Sequence, residues 1–426
     1  MKKDITLRLV AMNFLEFAVW GAYLTSMGSF LAGAGMGPKI WLFFATQGFV
    51  SFFMPALMGI IADKWIPAQK VLSICHSIAG IFMIGVGWYA MDAGQGIQFG
   101  PFYAMYSMSV AFFMPTIALS NSVAYNALES AGLDTVKAYP PIRVFGTVGF
   151  ICSMLLTNWL KIGGTVMQDS FTQMTASGVF SLILCVFSLT LPKCPVNRNA
   201  EKKSLVETFG LRAFTLFKDP RMAVFFIFAM LLGSALQITN AYANTFLGSF
   251  AEMPAYANTF AVRNSNALLA ISQTSETLCI LLIPFFMQRF GIKKVMLTAM
   301  IAWVARFGLF AIGKPDMPGV IWLILSCIVY GVAFDFFNIS GALYVDQNTN
   351  ESIRSSAQGL FMIMTNGLGA TVGTLAAQEI VNHFVYNQPE AMQIEGWRTC
   401  WFIFAGYALV VGIAFLFLFK NSQKAA

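Results

Sequence analysis

The chain has 426 residues, of which 58% are hydrophobic and only 11% are charged. Soluble domains carry about 25% charged residues, so this composition predicts an all-α protein that crosses a membrane many times and excludes a soluble enzyme. The net charge of +7 is spread over short loops, which argues against a basic surface for nucleic acid.

The residues that usually hold metals or form disulfides are few and dispersed. The seven cysteines contain no C-x-x-C pair, and the two histidines, His76 and His383, are far apart in the sequence. We therefore expect no disulfide framework, no metal site and no bound cofactor. Nor does the sequence carry a recognisable catalytic constellation.

Twelve apolar runs, six on each side of a polar stretch, are each long enough for a transmembrane helix or nearly so. The first run is too long for the apolar part of a signal peptide, so we expect it to remain as a span. The runs cover residues 9–31, 40–61, 71–90, 102–128, 141–159, 171–191, 222–250, 267–286, 295–312, 319–343, 353–383 and 397–419.

The distribution of charge predicts the domain organisation and the orientation. Residues 1–191 and 222–426 are each expected to form a six-helix bundle, joined by a basic cytoplasmic linker at 192–221. Within the linker, Leu205, Phe209, Phe214 and Phe217 predict a short helix on the membrane surface. Both termini are expected to be cytoplasmic, because few basic residues fall in the loops on the opposite side. Those few are Lys39, Lys161, Arg263, Lys314 and Arg398, while Arg143 and Arg306 fall within spans.

The two halves of the chain resemble each other in sequence. VAFFM at 110–114 corresponds to VAFDF at 332–336. The second span of each half contains a proline in its later part, Pro55 or Pro284, and is followed by a charged loop. This 6+6 repeat resembles the major facilitator superfamily, whose halves rock about a site at the bilayer midplane. Asp63 and Lys64 match part of that superfamily's signature in the loop after the second span.

Five spans carry a stripe of polar or aromatic residues on one helical face. Such stripes do not face lipid, so we expect them to converge on a central cavity. They comprise Asn13, Glu16 and Trp20; Arg143, Thr147 and Phe150; Gln237, Asn240 and Asn244; Gln273 and Glu276; and Asp335 and Asn338.

Structural roles are the alternative for each stripe. Asn13 and Asn244 could simply bond a neighbouring helix, and Arg143 could extend to the membrane surface. Glu276 and Asp335 could instead pair with Arg143, and Glu16 could be purely structural. His76 is interpreted as a packing residue rather than a proton relay.

Several motifs resemble the bacterial nucleoside:proton symporter family of the major facilitator superfamily. They are MPAL at 54–57, ADKW at 62–65, PPIR at 140–143 with Gly146 and Thr147, LQITN at 236–240, SQTSETL at 272–278 and AFDFFNISG at 333–341. The resemblance extends over nearly the whole chain. It implies an inner-membrane permease that imports nucleosides such as uridine or adenosine together with a proton. We expect the chain to act as a monomer.

Carried over by position, the resemblance implies a substrate site and a set of proton-binding candidates. The substrate site would comprise Arg143, Thr147, Phe150, Gln237, Asn240, Gln273, Glu276, Phe334 and Asp335. The proton candidates are Asp335, Glu276 and Glu16, the last standing where the family carries Gln. The alternatives are a permease for sugars or other small polar solutes, a drug exporter, or, from another class, a membrane-embedded enzyme or a solute receptor.

Overall fold

The computed structural model describes residues 2–94, 96–196, 211–350 and 353–419. These residues are helical apart from connecting turns and one small hairpin, and they form two compact units, Met1–Lys202 and Lys203–Ala426. Of the predicted surface helix in the linker, Leu205 and Phe209 lie outside the described residues. The linker's basic residues Arg198, Lys202 and Lys203 do as well.

The N-terminal unit contains eight α-helices within its described residues. They are α1 (Lys2–Gly21), α2 (Met27–Leu31), α3 (Ile40–Ser51), α4 (Met54–Lys64), α5 (Ala68–Ala93), α6 (Phe99–Ser130), α7 (Thr135–Trp159) and α8 (Thr172–Ser188). A hairpin of β1 (Lys161–Ile162) and β2 (Thr165–Val166) follows α7. Helix α1 packs on α7 and α8, and α5 packs on α6 and α8.

The first two predicted spans are broken rather than continuous. The run 9–31 is divided by a turn between α1 and α2, and the run 40–61 by a break between α3 and α4. Pro55 lies in the first turn of α4, where it lacks the N–H that would continue α3. The turn after α1 is tolerated because its residues, among them Tyr23 and Leu24, are buried in protein.

Helices α1 and α7 approach closely because glycines line their contact. A Cβ on Gly149 would overlap the carbonyl oxygen of Phe14, and a Cβ on Gly21 would overlap the backbone of Phe150. Only a residue without a side chain fits at these two points. This close approach sets the distance between the polar faces of the two helices.

We expect Gly149→Ala to lower the free energy of unfolding by about 1–3 kcal/mol, the usual cost of overpacking. The new methyl group would force α7 away from the backbone of α1. Thermal unfolding in detergent measures the loss. Gly59→Ala on α4 is the matched control, because nothing lies within 4 Å of its added Cβ. Equal unfolding temperatures for the two variants would contradict the packing described here.

The C-terminal unit begins, within the described residues, with a 3₁₀ turn at Leu211–Lys218 in which Phe214 stacks on Phe217. Its helices are α9 (Pro220–Gly248), α10 (Phe260–Arg263), α11 (Ser265–Phe290), α12 (Ile292–Ile312), α13 (Gly319–Gln347), α14 (Arg354–Met362), α15 (Ala370–Val381) and α16 (Glu390–Leu418). The carboxylate of Asp219 caps α9 by accepting from the N–H of Arg221. A wide π-helical segment, Ile363–Gly369, joins α14 to α15.

Ten helical stretches among the described residues are long and apolar enough to cross a membrane. The prediction of an all-α membrane protein is confirmed on this point. Helix α8, from the sixth predicted run, is a shorter apolar helix. Helix α1 carries charges in its first turns and is not among the ten.

Candidate functional site

The polar stripe on α7 lies against aromatic residues of α1. The guanidinium of Arg143 lies 3.9 Å above the centre of the Phe17 ring. A Cβ on Gly146 would lie 2.7 Å from that ring and 2.8 Å from a guanidinium nitrogen of Arg143, so glycine at this position leaves room for the stack. The contact is a cation–π interaction, which fixes the plane of the guanidinium.

Trp20 of α1 contacts Phe150, the last residue of the α7 stripe. Its ring meets Phe150 edge-on at 6.5 Å and Phe113 at 6.0 Å. Its Nε1–H donates to Oε1 of Gln47, 3.2 Å away. Gln47 in turn donates to the hydroxyl of Tyr106. Thr147 is half-buried between Arg143 and Phe150, so the predicted stripe of three is present on α7.

Glu16 is wholly buried and belongs to a polar cluster. Its Oε1 is 2.6 Å from the hydroxyl of Thr116, and its Oε2 is 2.9 Å from Nε2 of His76. Both ring nitrogens of His76 have polar partners, which its interpretation as a packing or interface residue did not include. The pairing was hidden in the sequence, since 60 residues separate the two side chains.

In the C-terminal unit, acids and amides of α11 and α13 form one cluster around Tyr330. Asp335 and Glu276 are near enough for their charges to interact. Tyr330 interacts electrostatically with both acids and lies close to Gln273. Asp335 is 3% exposed, and no described residue hydrogen-bonds to its Oδ2. A buried oxygen without a partner is costly, so it is a place where a proton or a ligand group would bind.

Arg306 supplies a buried positive charge behind this cluster, a role that the sequence analysis missed. Its guanidinium lies 4.5 Å from the centre of the Tyr330 ring and donates to the carbonyl oxygen of Ser326 at 2.7 Å. Its Nε has no hydrogen-bond partner among the described residues. In the sequence, this role was indicated only by the presence of an arginine inside an apolar run. Its partners could not be predicted, because Ser326 and Tyr330 belong to another helix.

Helix α9 carries the amides, which divide into two groups. Asn240 donates to Gln237 across 3.4 Å, which aligns their amides along one face. Asn244 instead donates to the side chains of Ser265 and Asn266. The alternative of a helix-bonding role is thus confirmed for Asn244. Asn13 likewise bonds within its own helix, to the carbonyl oxygen of Leu9.

A small pocket of about 20 Å³ opens in the C-terminal unit. Helices α9, α12 and α13 and the π-helical segment line it. Its aromatic and polar lining residues are Trp303, Phe334, Phe337, Asn338, Thr365 and Asn366. Phe334 and Asn338 belong to the predicted stretch, whereas Thr365 and Asn366 were missed. The π-helical turn brings them to the pocket, and such turns occur often at functional sites.

The comparisons with known proteins agree along the whole chain. The model of the family described as nucleoside H+ symporter matches residues 3–424. The xanthosine permease of Escherichia coli K12 is 47% identical over 422 residues, which cover 99% of this chain and 97% of the relative. The nucleoside permease NupG of the same organism is 43% identical over 419 residues, with 98% and 96% covered.

Solved structures give the same result. The crystal structure of the nucleoside transporter NupG is similar with a TM-score of 0.87 and 42% identity, covering 98% of this chain and all of that one. A peptide transporter of the POT family has a TM-score of 0.72 at 13% identity, which shows a common fold alone.

Fold, apolar spans and buried polar clusters together define a multi-pass membrane transporter. Within that class, the chain belongs to the nucleoside H+ symporter family. The family resemblance predicted from the sequence motifs is confirmed. The membrane-embedded enzyme considered as an alternative is not what this family contains.

Proposed function

We propose that this chain is a secondary active transporter that imports nucleosides together with protons across the bacterial inner membrane. The observation that carries the proposal is the buried carboxyl group of Asp335. One of its oxygens has no hydrogen-bond partner in the described part of the chain, and the group lies near Glu276 within a helix long enough to cross the membrane. Ionisable groups inside the membrane usually mark a substrate or ion path. Membership of the nucleoside H+ symporter family supplies the class of substrate.

The architecture that we propose has twelve spans in a 6+6 arrangement. Adding α1 and α8 to the ten long apolar stretches, one of which is Met27–Lys64, gives that number. The bundles would comprise residues 1–191 and 222–426, with a cytoplasmic linker at 192–221 and both termini cytoplasmic. The basic residues of the linker support this orientation. We propose that the transporter acts as a monomer.

We propose that nine residues, drawn from both halves of the chain, contact the nucleoside. They are Arg143, Thr147, Phe150, Gln237, Asn240, Gln273, Glu276, Phe334 and Asp335. Carboxylates, amides and the guanidinium are suited to ribose hydroxyls and base edges, and the phenylalanine rings to the face of a base. The names of the xanthosine and nucleoside permeases support this substrate class, with uridine and adenosine as the first substrates to test.

The proton would bind at the acid pair before the nucleoside is enclosed. Burial favours the neutral form of a carboxylic acid, so protonation of Asp335 or Glu276 removes the cost of enclosing a charge in a dry site. Glu16 is the third candidate, in the other half. Opening to the cytoplasm would return water to the acid, which then releases the proton along with the nucleoside. Alternating exposure of the site is how this superfamily moves its substrates.

Phe334 is expected to provide a stacking surface for the base, because its ring already stacks on Tyr330 with an interplanar angle of 15°. Phe334→Ala should weaken uridine binding by about 5- to 140-fold, since base–aromatic stacking contributes about 1–3 kcal/mol. Phe334→Leu is the matched control for apolar volume and should also weaken binding. Equal affinity of the wild type and both variants in equilibrium binding of labelled uridine would show that the Phe334 ring does not contact the base.

Substrate class is tested by counterflow in proteoliposomes loaded with unlabelled uridine. We expect an excess of external nucleosides to abolish entry of labelled uridine and sugars of similar size to leave it unchanged. Entry of labelled sugar with no competition from nucleosides would favour the sugar permease. Outward pumping of hydrophobic cations would favour the drug exporter.

A further inference from the structure

Four polar side chains form a closed cluster in the N-terminal unit, here called the Glu16 cluster: Glu16 on α1, His76 on α5, Thr116 on α6 and Ser181 on α8. Each is at most 1% exposed. Glu16 contacts Thr116 at 2.6 Å and Nε2 of His76 at 2.9 Å, and Nδ1 of His76 is 2.9 Å from the hydroxyl of Ser181. The contacts proposed for the nucleoside use none of His76, Thr116 or Ser181.

The hydroxyl of Ser181 has two acceptors but only one hydrogen. It lies 2.9 Å from Nδ1 of His76 and also 2.9 Å from the main-chain carbonyl oxygen of the same residue. It therefore donates to one acceptor at a time. Which acceptor it chooses depends on whether Nδ1 carries a proton.

Both choices leave every polar atom of the His76 ring with a partner. Without a proton on Nδ1, the Ser181 hydroxyl donates to Nδ1, Nε2–H donates to the Glu16 carboxylate, and the pair carries a charge of −1. With a proton on Nδ1, that N–H donates to the Ser181 oxygen and the hydroxyl turns to the carbonyl oxygen. The pair is then neutral overall. The two forms differ by one proton taken from water onto Nδ1, and no hydrogen bond of the ring is lost.

The titratable and charged neighbours of the cluster come from α5 and α7. Cys75 on α5 and Tyr139 on α7 are near enough to interact with the Glu16 charge, and Arg143 interacts with Tyr139. From α6 and α8 the polar neighbours are Thr116 and Ser181. Imidazole is the side chain whose ordinary protonation falls between pH 5 and 8.

We propose that the Glu16 cluster is a further proton-binding site, separate from Asp335 and Glu276, whose occupation changes the charge behind the α7 stripe. Glu16 is followed by Phe17, on which the Arg143 guanidinium lies, and Trp20 of the next turn contacts Phe150. A change of one charge in the Glu16–His76 pair would therefore act on the arginine that we propose contacts the nucleoside. The link to transport rests on the proposed function, whereas proton binding itself does not.

Nitrogen NMR of the full chain labelled with ¹⁵N-histidine tests the site directly. The chain has two histidines, and His383 is exposed, so His383→Gln leaves a single signal from His76. On lowering the pH from about 9 to about 5, we expect Nδ1 to gain a proton while Nε2 stays protonated throughout. In Glu16→Gln a smaller fraction of Nδ1 should carry a proton at the acid end of this range, because the carboxylate that stabilises the imidazolium is gone.

Two serine variants distinguish a hydrogen bond that stabilises the protonated His76 ring from a packing role of the serine. Ser181→Ala removes the acceptor of Nδ1–H and should also reduce the fraction of Nδ1 that carries a proton at the acid end of the range. Ser177→Ala, one turn away on α8, removes a hydroxyl that donates only to the carbonyl oxygen of Val19, at 2.7 Å, and should leave the titration unchanged. A His76 ring that keeps one protonation state across the range, or that titrates equally with Gln at position 16, would overturn the proposal.

The ratio of protons to nucleosides tests the role in transport. In proteoliposomes we expect Glu16→Gln to move fewer protons per uridine than the wild type, and an unchanged ratio would overturn that role. A wild type that moves uridine without any protons would instead contradict the proposed function, and the NMR titration would then still decide whether the cluster binds a proton.

Discussion

Asp335→Asn is expected to abolish uphill accumulation of uridine. One charge moving through 100 mV supplies about 2.3 kcal/mol, or a gradient of about fifty-fold. An amide keeps the shape of the side chain but does not bind a proton at physiological pH. The ratio of internal to external uridine should therefore fall to about one. Proteoliposomes with an imposed potential and pH gradient measure the ratio. Glu276→Gln should reduce it as well, because the two acids share one electrostatic environment.

Glu395→Gln is the matched control for the loss of a carboxylate. Glu395 is 69% exposed and pairs with Arg398 at 3.4 Å, near the start of α16. Its neutralisation should leave accumulation unchanged. Full accumulation by both Asp335→Asn and Glu276→Gln would eliminate these acids as the proton-binding groups.

Arg143→Lys is expected to weaken uridine binding by about 10- to 150-fold although the charge is kept. Hydrogen bonds to a charged group contribute about 1.5–3 kcal/mol, and a lysine lacks the planar fork that Phe17 holds in place. Equilibrium binding at fixed pH measures the change. Because the charge is unchanged, the loss would report geometry rather than net electrostatics.

Lys137→Gln on the same helix is the control for the loss of a cation. Lys137 is 86% exposed and lies 4.0 Å from Asp134, so its replacement should not alter binding. Affinity within twofold of the wild type for Arg143→Lys would remove the guanidinium from the substrate contacts.

The helical spans and the polar stripes could be predicted from the sequence because both depend on local periodicity. Apolar runs predicted most helices, and Arg143, Thr147 and Phe150 follow from a repeat of about 3.6 residues. The breaks within the first two spans were missed. One depends on Pro55 at a helix start, which an apolar count does not register, and the other on the burial of a turn in protein.

Partnerships between distant helices could not be predicted. His76 lies 60 residues from Glu16 and 105 from Ser181, and Arg306 lies 20 from Ser326. An isolated histidine or arginine in an apolar run shows only that a partner is needed. Which helix provides the partner depends on packing. Thr365 and Asn366 were missed for a related reason, because a π-helical turn changes the face on which residues lie.

Simultaneous recording of uridine and proton entry into proteoliposomes tests the central claim most directly. With no imposed gradient of pH or potential, addition of uridine to the wild type should carry protons inward with it, and Asp335→Asn together with Glu276→Gln should strongly reduce that proton entry. Uridine entry without proton movement in the wild type would contradict the account, and so would undiminished proton entry in the double variant.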